Sequence, residues 1–349
     1  MKSFGLWYVP NTDCIPEVDL HINVCDIKTE CIKYKQPFIE FGLKIKKFRE
    51  LKSIMLFLPF KVNMEDIEEL TNSNLKVRTA SLIFNENCGV ATSDVKGKIF
   101  ANLTLKDQQG NVSDKYLLIG KEYLSINKNK ENEPHNEDSD DYSILTIDIK
   151  GVSDDMDTMP EFKDAYIRFR IFSKGFRENL FSVLALKNLF LESAFSCTQI
   201  MDIKVNKIRN ISEKVLKQAD RNNWKLLQFN KIHFLVMESA NSDVTINDKE
   251  FDGCRNLESE WEDYFKINGV EAPTAEDLKN VLAYHWKVKS KTVNSESALN
   301  SKNYLVDFSK LVKVTYGKTN VIIILVYVIV TVVLGALGSA LFELIKNLF

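Results

Sequence analysis

Phe38-Ile39-Glu40-Phe41-Gly42-Leu43-Lys44-Ile45 decides the fold class of the body. In an extended chain Ile39, Phe41, Leu43 and Ile45 fall on one side, and Glu40, Gly42, Lys44 and the following Lys46 on the other. A period of two marks a strand with one buried face, because successive side chains leave a pleated backbone in opposite directions. Outward from this stretch, the same reading applies to residues 20–27, 54–60, 75–84, 99–105, 144–149 and 165–172. Gly89, Gly97, Gly110, Gly120 and Gly151 punctuate the later runs, and Gln109-Gly110-Asn111 reads as a hairpin turn. Short strands with turn signals and no strand–helix alternation predict an antiparallel sandwich or barrel, assigned as a β-rich domain over residues 1–175.

Beyond residue 175 the pattern mixes, so the fold class is α+β. Residues 200–205 and 232–237 read as strands, and residues 181–195 fit either a helix or a strand. Asn210 with Glu213 resembles a capping pair opening a helix over 210–218, and residues 258–265 form a short helix candidate. Thr274 with Asp277 opens another helix, continued by Leu278, Val281, Leu282 and His285 at helical spacing. Residues 176–289 are thus expected as an α+β domain packed on the first. Residues 290–319 are expected as a linker and a juxtamembrane segment, in which Leu305, Phe308, Leu311 and Val312 form an amphipathic stretch that lies on a membrane or packs on the body.

Residues 321–342 contain 22 positions without a charge. About 20 apolar residues in helix cross a ~30 Å hydrocarbon core, so a single C-terminal transmembrane helix is expected over 320–342, with 343–349 as a short tail. Thr331, Gly335 and Ser339 recur every fourth residue, and Ala336 with Ala340 lies beside them. Small residues at this spacing let helices approach closely in lipid, which makes this the expected association face of a homo-oligomer. The N-terminal residues lack the apolar run of a signal peptide, and Lys310, Lys313 and Lys318 lie on the body side of the helix. Both features predict a body in the cytoplasm.

A net charge of -2, from 46 basic and 48 acidic residues, argues against a dedicated nucleic-acid binder. Cys14, Cys25, Cys31, Cys88, Cys197 and Cys254 show neither a CxxC pair nor a regular framework, as suits a reducing compartment. His21, Cys25 and Cys31 are soft ligands, but His21 and Cys25 on one strand stand ~13 Å apart, too far for one ion. His135 lies among carboxylates in a polar segment, residues 127–141, that reads as a solvated loop. His233 and His285 have no motif partners, although His285-Trp286 offers a contact surface. Asp154, Asp155 and Asp157 are the carboxylates a metal-dependent hydrolase or nuclease would need, yet their spacing fits a solvated turn equally. No nucleophile elbow, phosphate loop or zinc-protease motif is present, so no catalytic residue, metal site or cofactor is assigned.

The soluble segment with most to offer a ligand is residues 166–172. On a strand, Tyr166, Arg168, Arg170 and Phe172 share a face, with Lys174 and Arg177 close behind. Arginines flanked by aromatics grip a phosphate or stack on a base, giving nucleotide, nucleic acid or lipid headgroup as candidate ligands for Tyr166, Arg168, Arg170, Lys174 and Arg177.

In architecture alone, a cytosolic body ending in the membrane helix at 321–342 resembles tail-anchored bacterial defence effectors. That resemblance implies an inner-membrane location, clustering of helices and a trigger delivered by a partner or nucleotide. The expected function is therefore a tail-anchored, non-enzymatic membrane protein whose body binds a partner or ligand. A membrane-tethered hydrolase or nuclease and a scaffold subunit of a larger complex are the alternatives.

Overall fold

The computed structural model describes the chain except for residues 1, 14, 28–36, 72–76, 85, 96, 108, 128–141, 184–195, 247–250, 267–271, 294–300, 318–320 and 348–349. In chain order the first strands are β1 (Gly5–Pro10), β2 (Val18–Cys25), β3 (Phe38–Ile45), β4 (Leu51–Leu58) and β5 (Ile67–Glu69). Helix α1 (Val77–Phe84) precedes β6 (Asn87–Val95), β7 (Lys98–Lys106), β8 (Val112–Leu118), β9 (Leu124–Asn127) and β10 (Ser143–Asp148). Next come α2 (Ile149–Asp155), β11 (Asp164–Ile171), α3 (Lys174–Leu180), β12 (Phe181–Val183), β13 (Ser196–Val205), α4 (Glu213–Arg221) and β14 (Lys225–Leu226). The remainder is β15 (Phe229–Ser239), β16 (Asp243–Ile246), β17 (Gly253–Asn256), α5 (Glu262–Phe265), α6 (Ala275–Leu278), β18 (Val281–Lys289), β19 (Lys291–Val293), β20 (Ser301–Asn303), β21 (Phe308–Gly317) and α7 (Val321–Lys346).

The body is α+β and dominated by sheets. The largest sheet runs β17-β18-β15-β2-β3-β11-β8-β7-β6, with β5 also paired to β11. It is antiparallel except where β15 meets β2 and where β11 meets β8. A second sheet, β14-β1-β4-β10-β9, lies across it. Leu6, Ile54, Leu56 and Ile147 from the second sheet share one buried cluster with Leu20, Ile22, Phe41, Leu43, Ile167 and Phe169 from the first. This is the core of a sandwich, and the apolar alternation of β3 supplies its middle. On the far side of the second sheet, α4 places Val215 and Ala219 against Trp7, Met55 and Phe57.

Several local expectations hold. Gly110 turns the β7–β8 hairpin with φ +87°, a conformation glycine adopts without steric cost. Thr274 and Asp277 form a reciprocal capping box at the start of α6. Others are corrected. Residues 77–84 are helix, not strand, with Ala80 and Phe84 on the buried side. The cap of α4 is Ser212, and Asn210 belongs to the preceding 3-10 turn. Helix α6 ends at Leu278, and Val281 to His285 belong to strand β18, where pairing with β15 overrides their helical spacing. Of the two readings of the 305–312 stretch, packing on the body is the one seen: Leu305 bridges Phe229, and Phe308, Leu311 and Val312 belong to β21, paired to β13 and β16, with Phe308, Val312 and Val314 buried. Lys310 is buried too, its ammonium 5.8 Å from the centre of the Trp286 ring.

Helix α7 follows β21, and none of its apolar window is buried among the described residues. Residues Ile324–Lys346 are long and apolar enough to cross a membrane. The strand before β21 in space is β16, and β16 follows β15 through a turn closed by Ser242 donating its backbone N–H to Ser239.

Candidate functional site

The second face of the large sheet is polar, and strand register explains how its groups meet. Across the strands, His233 of β15 pairs with His21 of β2, His21 with Gly42 of β3, and Gly42 with Arg168 of β11. One step along, Leu235, Asn23, Glu40 and Arg170 form the next row, and His285 of β18 joins it opposite Leu235. Side chains two residues apart share a face, so β2 adds Asp19, β3 adds Lys44 and β18 adds Lys287.

Three imidazoles stack along this surface. The His21 and His233 ring centres are 4.6 Å apart and those of His233 and His285 5.3 Å, with interplanar angles of 19° and 14°. His233 Nδ1 and His285 Nε2 share a hydrogen bond at 3.1 Å. Phe84 closes over His21 edge-on. Among the described residues no group of three His, Cys, Asp or Glu is placed to hold a metal ion.

Above the stack lies a cavity of about 540 Å³, within the ~300–1,000 Å³ range of small-molecule sites. Lys44, Arg168, Lys231, Lys287 and Arg255 line it, against Asp19 and Glu86. Leu82, Ile83, Phe84, Leu235, Trp261 and Ala283 form its apolar wall. Burial drives the His21 imidazole well below the usual histidine range, with His233, Lys44 and Arg168 adding to the effect. Burial, then His285 and the neighbouring lysines, lower His233 to about 3. Burial also lowers His285, against the raising influence of Asp252. Burial lowers Lys44, against the raising influence of Glu86, Asp19 and Asp114, and burial with Lys289 and Lys231 lowers Lys287, against Asp19 and Asp252. At neutral pH the floor is thus a set of neutral imidazoles ringed by cations.

Beneath the floor is a buried charge network. Glu40 accepts from Arg168 Nε and, at 2.9 Å, from Arg170 Nε. Tyr264 donates its hydroxyl to the second Glu40 oxygen at 2.7 Å, and Arg170 donates to the Tyr264 carbonyl at 2.8 Å. Burial raises the Glu40 carboxyl, but the two guanidiniums and the Tyr264 hydroxyl outweigh it and hold it below the ordinary range. Arg170 also lies over the Phe38 and Tyr264 rings, 4.0 and 4.6 Å from their centres. Gly42 leaves room at the centre, since a Cβ there would stand 2.9 Å from the Tyr166 hydroxyl and 3.3 Å from the His21 Cβ.

The strand over 165–172 and the shared face of Tyr166, Arg168 and Arg170 are as expected, but that face is neither a solvated surface nor an open ligand patch. Tyr166 and Arg170 are 0% exposed and Arg168 1%. Only Arg168 of the five reaches the cavity lining. Arg177 pairs instead with Asp26, and the Lys174 side chain lies outside the described residues. The histidines and lysines are the groups that local sequence reading passes over. Their signal is a polar residue at alternate positions of otherwise apolar strands: Asp19, His21 and Asn23; Lys231 and His233; His285 and Lys287.

Other candidates fall elsewhere. Asp155 accepts from Tyr123 at 2.6 Å and pairs with Lys98, while Asp154 pairs with Lys150 at the exposed end of α2. Trp286 is buried against Phe234, so it offers no contact surface. His135, Cys14, Cys31 and Lys318 lie outside the described residues. Cys25, Cys88, Cys197 and Cys254 are free thiols. On α7 the Thr331 hydroxyl donates to the Tyr327 carbonyl and the Ser339 hydroxyl to that of Gly335, so both are satisfied within their own helix.

No family model and no curated protein matches the sequence. Among solved structures, the M1 zinc metallopeptidase from Deinococcus radiodurans is similar at a TM-score of 0.21 and 7% identity, over 88% of this chain and 42% of that one. The chain therefore spans less than half of that protein's length, and a likeness this low carries no argument about fold or chemistry.

Proposed function

We propose that this protein is a membrane-anchored binding module whose body captures a small anionic ligand in the histidine-floored cavity. The observation that carries the reading is that Lys44, Lys231 and Lys287 line one cavity together with His233. Like charges held together lower each other's stability, and an anion is the partner that relieves this. The free thiols of Cys25, Cys88, Cys197 and Cys254 support a cytoplasmic body, and the bacterial inner membrane is the location the architectural resemblance favours. Helix α7 then holds the body at the membrane, and the face of Thr331, Gly335, Ala336, Ser339 and Ala340 brings copies together, as a membrane effector requires.

The reading is tested on the full chain in detergent by thermal shift with sulfate, inorganic phosphate and short carboxylates at constant ionic strength. At least one anion should raise the Tm of the native protein and leave Lys44→Ala and Lys287→Ala unmoved. A uniform lack of response, or an equal response in native protein and lysine variants, would overturn it.

A further inference from the structure

We infer that the ligand of this cavity is a phosphate ester carried on a flat ring, of the size of a nucleoside monophosphate, with the phosphate over the His21–His233 floor and the ring against the Arg255 guanidinium where it covers Trp261. This rests on the anion-binding reading above and adds to it the chemistry of both ends of the ligand.

The phosphate end follows from the arrangement of donors. Lys44, whose ammonium lies 4.5 Å from the centre of the Phe84 ring and 5.5 Å from that of Tyr116, and Lys287 have no ion-pair partner among the described residues, and Lys231 stands 3.7 Å from Asp19, a loose pairing. His21 finds no hydrogen-bond partner among the described residues either, and its ring, stacked on His233 with Phe84 edge-on to it, lines the cavity. Ammonium groups offer rotatable donors and a neutral imidazole offers one fixed N–H, a combination that serves the several oxygens of a phosphate better than the two of a carboxylate. Arg168 is less available, because its guanidinium is already committed to Glu40 and to the Tyr166 hydroxyl at 3.1 Å. The phosphate contacts are therefore assigned to the lysines and His21, with Arg168 supplying charge from below.

The ring end follows from the opposite wall. Helix α1 contributes Leu82, Ile83 and Phe84, and the 3-10 turn at Ser259–Trp261 contributes the indole. Arg255 lies over the Trp261 ring, 5.3 Å from its centre, which makes a flat cationic lip above an apolar surface. Trp261 itself is only 2% exposed and lies under Arg255, so the guanidinium plane, backed by the indole, is the surface on which a planar ring stacks. Inorganic phosphate would leave this wall bare, and an apolar ring without a phosphate would leave the lysines opposed to one another.

The test is isothermal titration of the full chain in detergent with inorganic phosphate, the four common nucleoside monophosphates and the matching nucleosides. At least one monophosphate should bind tenfold or more tightly than phosphate, and its nucleoside at least tenfold more weakly than the monophosphate. Lys287→Ala should weaken phosphate and monophosphate alike by tenfold or more. Arg255→Ala, at an exposed position, should weaken the monophosphate severalfold and leave phosphate unchanged. Equal affinity for phosphate and all four monophosphates overturns the ring assignment and leaves the anion-binding reading standing. Binding of short carboxylates without binding of phosphate overturns the phosphate assignment alone. No heat from any anion, in protein whose cooperative melting shows it folded, overturns both.

Discussion

The Nδ1 of His233 lies 3.1 Å from the Nε2 of His285, and a hydrogen bond between two ring nitrogens requires one to carry the proton and the other to lack it. Full protonation of both would turn two N–H groups toward each other. Stability should therefore depend on pH with a definite sign. His233 titrates near 3 in the folded chain and near the ordinary histidine value when unfolded, so between those values the unfolded state binds more protons. Its stabilising contribution is complete above about pH 6.5 and is lost as pH falls toward 3. Calorimetry of the full chain should show Tm falling through this window, and His233→Gln should flatten the upper part of the slope. A slope unchanged by that substitution would reject the assignment.

Anion binding should show the opposite dependence. A dianion on the floor stabilises the charged imidazole, so binding takes up protons and affinity rises as pH falls, by at most about tenfold per pH unit for each proton taken up. Sulfate keeps its charge throughout and leaves the protein groups as the source of the effect. Asp19 and Glu86 line the same cavity, Asp252 lies near His285, and all three oppose the lysines and Arg255. Sulfate titrations from about pH 8 to pH 5.5 should show the rise in native protein and a reduced one in His21→Gln.

Glu40 holds two guanidiniums out of water. Glu40→Gln keeps the shape but leaves Arg168 and Arg170 without their counter-charge, and breaking a buried pair in this way costs about 3–5 kcal/mol. Chemical denaturation should show the loss. Lys150→Gln, which removes one partner of an exposed pair, should change stability by less than about 1 kcal/mol.

Gly335 has open space around the position a Cβ would take, so Gly335→Leu leaves the helix itself unaffected. If copies meet on that face, the larger side chain holds them apart. Crosslinking in membranes should then fall severalfold, and an unchanged yield would place any association elsewhere.

How much was legible depended on how local the cause was. The Phe38–Ile45 strand, the Thr274–Asp277 capping box and the Gly110 turn are written in neighbouring residues and appear as read, except that the strand is buried on both faces, Glu40 and Gly42 included. Residues 77–84 and 281–285 are apolar at spacings that both a helix and a strand accept, so partners decided them: packing of Ala80 and Phe84 for α1, pairing with β15 for β18. The 305–312 stretch went the same way once β13 supplied its hydrogen bonds. The site was harder for a stronger version of this reason. His21, His233 and His285 sit on strands distant in sequence, and nothing near any one of them says that β15 lies beside β2 in parallel. Arg168 and Arg170 were visible as a pair, but Glu40, which turns them from ligand groups into buried structure, lies about 130 residues upstream.

Strand β21 ends at Gly317 and α7 begins at Val321. Four Cα steps of about 3.8 Å reach at most roughly 15 Å. With α7 seated in a bilayer, a leash this short fixes the height of the body above the headgroups and narrows the ways it can tilt. Two copies then meet in a plane, already sharing the same side down, and the rate of their encounter follows the number of molecules per area of membrane, not their concentration in the cell volume. Dilution in detergent removes that advantage, so assembly measured in micelles sets a lower bound on assembly in the membrane.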